Sequence, residues 1–234
     1  MNLPLPNPNK EINIKVDGIN VARYPIRTTL VKKGDDIVSI ISKEANKFLP
    51  LIQKDHKVIV ISEKAVAVSQ GRGLPIKDIK PRSLARFLSR YVTKTPNGIG
   101  LGMPETMELA IREVGIPRIL LAFAIAAVTK PFGLKGMFYR VAGDKARSID
   151  GPTPHTIPPY NQYAVMAPKE PSKVAKAISQ ACDSIGVVII DANDIGQNIL
   201  GSANVKELQL VKNSFKDNPL GQSSQQTPMA IVCW

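Results

Sequence analysis

The stretch "GVVIIDANDIGQ", residues 186–197, constrains the fold more than any other in this chain. Val187, Val188, Ile189 and Ile190 form an unbroken β-branched run. A strand with one wet face alternates apolar and polar residues, so an unbroken run predicts a strand covered on both faces. That points to an α/β protein with helices packed over a sheet. The run then stops at Asp191, Asn193 and Asp194. Oxygen-bearing side chains at the end of a buried strand can hold a metal or a phosphate ligand. They can equally satisfy the backbone of a plain turn.

The rest of the chain narrows the choice. With 234 residues, 44% of them hydrophobic, it can bury a sizeable core. Its net charge of +12 favours anionic partners, either nucleic acid or a phosphorylated or carboxylated small molecule. The basic residues are dispersed, with no long like-charged run. Only 5% of the chain is aromatic, which weakens a reading based on stacked bases, and no nucleic-acid motif occurs. A nucleic-acid partner is not expected. Cys182 and Cys233 lie far apart, without a CxxC pair, and suit a reducing compartment. His56 and His155 are isolated, so zinc hydrolase chemistry has no ligand pattern to stand on. The N-terminus has no apolar signal core. The longest apolar stretch, "ILLAFAIAAV" (119–128), is about half of what a bilayer span needs. No membrane partner and a cytoplasmic location are expected.

Read along its length, the chain begins with a Pro- and Asn-rich lead-in over residues 1–11, expected to be extended and mobile. Strand material follows in "INIKVDGINVARYPIRT". Ile37, Ile40, Ile41, Ala45 and Phe48 recur at helical spacing behind Asp35 and Asp36. "KVIVISEKAVAVSQGR" predicts a buried strand and then a second β-rich run. "IKPRSLARFLSRYV" and "MPETMELAIREVGIP" predict helices, the first with a basic face. "RILLAFAIAAVTKPFG" fits a buried helix or a strand, and "GMFYRVAG" a strand. The Pro-rich residues 150–160 form a loop. "EPSKVAKAISQACDSIG" predicts a helix capped by Ser172, and "TPMAIVCW" a short closing strand.

There is no GxxxxGK[ST], no GxGxxG after a strand and no GxSxG. What remain are three polar loops at the ends of apolar runs: "SEKAVAVSQGRG" (62–73), "DANDIGQNILG" (191–201) and "DNPLGQSSQQTP" (217–228). Each alone is compatible with a solvated turn. Their order, however, resembles the coenzyme F-420:L-glutamate ligase family, in which a strand runs into Ser-Gln-Lys and then Lys-Ala-Glu-Gly-Arg. Later in the family pattern come a strand ending Asp-Thr-Asn and a Gly-Glu-Gly-Asp-type loop before a closing strand. Here those segments read "ISEKAVAVSQGR", "VVIIDANDIGQ" and "GQSSQQTPMAIV".

The resemblance implies a two-domain γ-glutamyl ligase-like α/β (α+β) fold and an intertwined homodimer, with residues 1–21 as an extended N-terminal segment before a ligase-like domain over 22–234. It implies GTP as co-substrate and Mg²⁺ or Mn²⁺ as cofactor. The implied reaction activates an anionic carboxylate substrate such as coenzyme F-420-0 as an acyl phosphate, and the amine of glutamate then displaces phosphate. Carried onto this sequence, the catalytic residues are Asp191 and Lys64. The nucleotide-binding residues are Ser62, Glu63, Lys64, Arg72, Gln222 and Gln225. The metal ligands are Asp191 and Gln222, with Asp144 and Asp150 as candidates for the middle aspartate.

This chain departs from that pattern at specific positions. Ala192 stands where the family has a threonine, and Val68 and Gln70 where it has the lysine and glutamate. The acidic positions of the late loop fall at Gln222 and Gln225. An amide oxygen can ligate a metal but brings no charge. Two readings stay open: a ligase acting on another substrate, or a divergent paralogue without ligase activity that binds a phosphorylated small molecule.

Overall fold

The computed structural model describes residues 2–92, 100–134, 136–154, 156–193, 196–221 and 224–234. Among them run β1 (Asn13–Val16), β2 (Ile19–Ile26), α1 (Ile37–Phe48), β3 (Lys57–Ser62), α2 (Glu63–Ser69), β4 (Gly73–Pro75) and α3 (Ser83–Ser89). Then come α4 (Pro104–Val114), α5 (Ile116–Thr129), α6 (Met137–Ala142), α7 (Asp144–Arg147), β5 (Tyr163–Val165) and α8 (Pro171–Ala181). The chain closes with β6 (Gly186–Asn193), β7 (Gly196–Ala203), α9 (Leu208–Asn213) and β8 (Met229–Cys233). They form a mixed α/β structure that divides into two compact units, residues 1–71 with 168–234, and residues 72–167.

The first unit is built on a six-stranded sheet of order β1-β2-β8-β3-β6-β7. β3 and β6 are parallel, and the other neighbours are antiparallel. Val187 to Ile190 are fully buried, as the unbroken apolar run requires. Alternate residues serve opposite faces. Val58, Val60, Val188, Ile190, Ala230 and Val232 pack with Val211 and Phe215 at α9. Ile59, Ile61, Val187, Ile189 and Ile231 turn to the other face and are equally buried. α8 packs on β6 and β7, and against α1. Gly201 of β7 meets the start of α8 so closely that a Cβ there would lie 2.5 Å from the backbone of Pro171 and Ser172. The helical spacing over 37–48 holds: Ile37, Ile41 and Ala45 are buried, and the Asp36 side chain accepts from the Ser39 N–H at 3.1 Å.

An arginine fastens the chain around this sheet. Arg23 of β2 is fully buried. It donates to the Ser214 carbonyl at 2.7 Å, to the Glu11 carbonyl at 2.8 Å, and through both terminal nitrogens to the Asp217 carboxylate. Burial alone would raise the Asp217 carboxyl, but the hydrogen bonds and charge of Arg23 hold it below its usual value. Cys182 and Cys233 are buried free thiols, pushed up by that burial.

In the second unit, α3 to α7 pack around Leu88, Leu101, Met107, Leu109, Ile119 and Ile149, beside a small antiparallel pair of β4 and β5. Glu108, 2% exposed, accepts from Arg82 through Nε, Nη2 and the backbone N–H, and from Arg112 Nε at 2.9 Å. Desolvation would raise its pKa, yet the bonds and charges of the two arginines hold it low.

Several expectations need correction. Residues 63–69 form helix α2, not a β-rich run. Its Ala-Val alternation looks strand-like, but nearly every residue is buried, so tertiary packing overrides the β-branched preference. Residues 137–142 are helix α6, bracketed by Gly136 and Gly143, where the aromatic content suggested a strand. The ambiguous run at 116–129 is helix α5. α8 is not capped by Ser172: Glu170 is the N-cap residue, without a side-chain cap bond, and Pro171 takes the first turn, where a missing N–H costs nothing. Residues 191–193 and 196–201 are strand and not loop: β6 runs on to Asn193 and pairs antiparallel with β7. The lead-in is tied down at Asn7, which is buried and donates to Pro219 and Thr227.

Candidate functional site

The parallel pairing of β3 and β6 sets up the candidate site. Ser62, the last residue of β3, is in register with Ile190 of β6. Glu63 and Lys64 therefore follow one strand, and Asp191 the other, at the same end of the sheet. β8 runs the opposite way on the other side of β3, so the chain enters it at that end. The Ser62 N–H donates to the Pro228 carbonyl at 2.8 Å. The segment 224–228 thus arrives beside the ends of β3 and β6. In open α/β sheets, the carboxyl ends of parallel strands are where ligands bind.

Within this sheet end, Glu63 is 5% exposed, while Ser62, Lys64 and Asp191 are half-buried. Asp191 pairs with Asn198 across the hairpin. The Asn193 side chain accepts from the Gly196 N–H at 3.1 Å and donates to Asp191 Oδ1 at 3.5 Å. Asn193 serves the turn, and Asp191 stands before it at the strand end.

The late loop is held from several sides. Gln226 donates to the Thr28 carbonyl at 2.8 Å, and the Thr28 N–H returns a bond to the Gln226 carbonyl. Thr227 Oγ1 donates to the Leu220 carbonyl and accepts from Asn7. Gly221 has φ +73°, and a Cβ there would press on the Gln225 side chain at 3.1 Å. Among the described residues, Gln225 Oε1 is buried and has no hydrogen-bond partner. A buried acceptor left unmatched is costly, and it marks a place where a ligand atom could be received. Gln222 lies outside the described residues.

The remaining candidates belong to the unit of residues 72–167. Arg72 is buried; it donates to the Ala167 carbonyl and pairs with Glu113 at 2.6 Å. Its charge is matched inside that unit. Asp144 is exposed in the first turn of α7. Asp150 exchanges two backbone hydrogen bonds with Val165, each 2.9 Å. Sequence reasoning missed Asn7, Thr28 and Gln226, whose role is to hold the late loop. Short polar residues beside prolines carried no signal of their distant partners.

Asp191 is a charged oxygen donor at the strand ends, and the unmatched Gln225 oxygen is a neutral one. Among the described residues, no three His, Cys, Asp or Glu side chains gather as a metal cage. That donor chemistry fits an open Mg²⁺ or Mn²⁺ site, in which one carboxylate and substrate phosphates share the ion.

The sequence model described as F420-0:Gamma-glutamyl ligase matches residues 25–232. The chain belongs to the F420-0:gamma-glutamyl ligase family. The match runs through all three polar segments of the sheet end. No curated protein matches this family member. Among its described residues, no helix is long and apolar enough to cross a membrane.

Proposed function

We propose that this family member is a γ-glutamyl ligase that joins glutamate, or a similar amine, to an anionic carboxylate substrate such as coenzyme F420-0. GTP is the phosphoryl donor and Mg²⁺ or Mn²⁺ the cofactor. The observation that carries this reading is the meeting of three polar segments at the carboxyl ends of β3 and β6, with Asp191 among them. The γ-phosphoryl group passes to the substrate carboxylate, giving an acyl phosphate and GDP. The amine then attacks the acyl carbon, phosphate leaves and the nitrogen loses a proton.

Asp191 and the Gln225 oxygen would hold the metal, whose positive charge offsets that of the transferring phosphoryl group. Lys64 balances phosphate charge beside Ser62. Arg72, paired with Glu113, shapes its own unit and is not assigned to the nucleotide. Gln222, Asp144 and Asp150 remain candidate ligands to be tested by substitution. A homodimer and a cytoplasmic setting belong to the same reading, the latter suited by the two free thiols.

A second reading is a paralogue that binds a phosphorylated small molecule without ligating it. Ala192, Val68 and Gln70, which stand where the family pattern has threonine, lysine and glutamate, favour it. The deciding experiment measures phosphate release from GTP and ATP with Mg²⁺ or Mn²⁺, over a panel of carboxylate acceptors with glutamate as donor. Acceptor-dependent release establishes the ligase. No release under any condition, with tight calorimetric binding of a phosphorylated ligand, establishes the binder. Light scattering tests the dimer.

A further inference from the structure

Helix α5 is apolar on its outward side as well as its inward one. Ile119 and Ala122 face the core and are fully buried. At about 100° per residue, Ile116, Leu120, Leu121, Ala124, Ala127 and Val128 fall together on the opposite side, and all are exposed. Leu121 is 55% and Val128 67% exposed, and Phe132, just beyond the helix, 79%. The surface continues through Phe123, which meets Tyr91 edge-on at 5.7 Å, and from Tyr91 to exposed Phe87 at 5.2 Å. A helix that is apolar all round requires cover on both sides.

The charge around this face selects the cover. Residues 116–143 contain Arg118, Lys130, Lys135 and Arg140, and neither Asp nor Glu. Beside Phe87 and Tyr91, the exposed Arg86 and Arg90 line a pocket of about 450 Å³ with Ser89, Gly102 and Pro104. Among the described residues, no carboxylate pairs with Arg86, Arg90, Arg118, Lys130 or Arg140. A second copy laid on this face would set these cations against their own duplicates. An apolar centre with a mainly basic rim, in which the cations outnumber the exposed Asp144 at the start of α7, instead complements an anionic lipid surface, acyl chains against the leucines and headgroup phosphates against the arginines. At about 21 Å, α5 is too short to cross the roughly 30 Å hydrocarbon core, so it would lie in the interface plane. Surface docking needs no span, and it departs from the expectation of no membrane partner.

We propose that the unit of residues 72–167 docks on an anionic lipid bilayer through the outward face of α5 and the neighbouring Phe87–Tyr91 surface. This goes beyond the ligase reading and does not depend on it. The test is flotation of the full chain with vesicles of phosphatidylcholine alone and of phosphatidylcholine mixed with phosphatidylglycerol. The wild type should float with the mixed vesicles and not with the neutral ones, less so as salt rises. Leu121→Gln with Val128→Gln should cut partitioning about tenfold or more, with an unchanged thermal midpoint because both side chains are exposed. Arg86→Gln with Arg90→Gln should lower partitioning and flatten its salt dependence. Failure of the wild type to float with mixed vesicles overturns the proposal, as does equal flotation of the Leu121/Val128 variant. A dimer in light scattering that the Leu121/Val128 variant breaks into monomers would assign the face to a second copy instead, and would also overturn it.

Discussion

Ser62 and Ile190 are register partners on the parallel strands β3 and β6, so the residues after each of them reach one end of the sheet together. This single pairing brings Lys64 and Asp191, 127 positions apart in sequence, to a common edge. β8 completes it, because its antiparallel run beside β3 delivers the Gln-rich loop to the same place.

If that edge is a ligase centre, Asp191→Ala should lower phosphate release by about 10²–10³-fold, the scale seen when one charge-stabilising group is removed from a reacting phosphoryl or acyl centre. Far-ultraviolet circular dichroism of the variant should be unchanged, since Asp191 is half-buried at the sheet end and not part of the core. Release that persists in full would move the assignment to Asp144 or Asp150.

Gln225 offers the opposite experiment. Its Oε1 is buried and, among the described residues, unmatched. Gln225→Glu adds a negative charge where the amide has none, and ligand charge is a main determinant of divalent cation affinity. Mn²⁺ should bind about tenfold more tightly by calorimetry. Unchanged or weaker Mn²⁺ binding would show that the Gln225 oxygen does not face the metal.

The Arg23–Asp217 pair should govern acid stability. The folded pKa of Asp217 lies below its unfolded value. Its contribution is therefore fully present above the unfolded pKa and is lost as pH falls through the folded one. Asp217→Asn should reduce stability at neutral pH by about 1–3 kcal/mol, a range set by Asp217 being half exposed while Arg23 is not. Below about pH 4 the difference between wild type and variant should narrow. Urea titrations at a series of pH values read both effects.

Gly201 sets the fit of β7 to α8. A Cβ at this position would lie 2.5 Å from the backbone of Pro171 and Ser172, where no side chain can rotate away. Gly201→Ala should destabilise the protein by about 1–3 kcal/mol through overpacking. A melting temperature equal to wild type would show that the hairpin can shift freely from the helix.

Glu108 should matter as much in the other unit. It is 2% exposed and shared by Arg82 and Arg112. Glu108→Gln keeps the shape and removes the charge, leaving two guanidinium groups without their partner. We expect a loss of about 2–4 kcal/mol, somewhat below a fully buried pair because both arginines are partly exposed. Chemical denaturation checks it, and an effect under 1 kcal/mol would class both pairs as surface-like.

Much of this protein was determined locally and could be read in the sequence. β6 was legible because a strand buried on both faces must be apolar at every position, and α1 because one buried stripe imposes a helical period. The ordered polar segments pointed to the family that residues 25–232 match. Tertiary structure decided the rest. α2 and α6 look strand-like because Val and aromatic residues favour strands in isolation, whereas burial of nearly every residue outweighs that preference in α2, and in α6 Phe138 and Ala142 alone turn to the core between Gly136 and Gly143. The hairpin at Asn193 was hidden because a strand that leaves the core turns polar just as a loop does. Nothing local marked Arg23 as the largest fully buried side chain among the described residues, because its partners Ser214 and Asp217 lie nearly two hundred residues away. The site edge itself depends on β3 pairing in parallel with β6. A parallel pair is joined only through a long crossover, so its register is set by the packed whole and not by any segment of the chain.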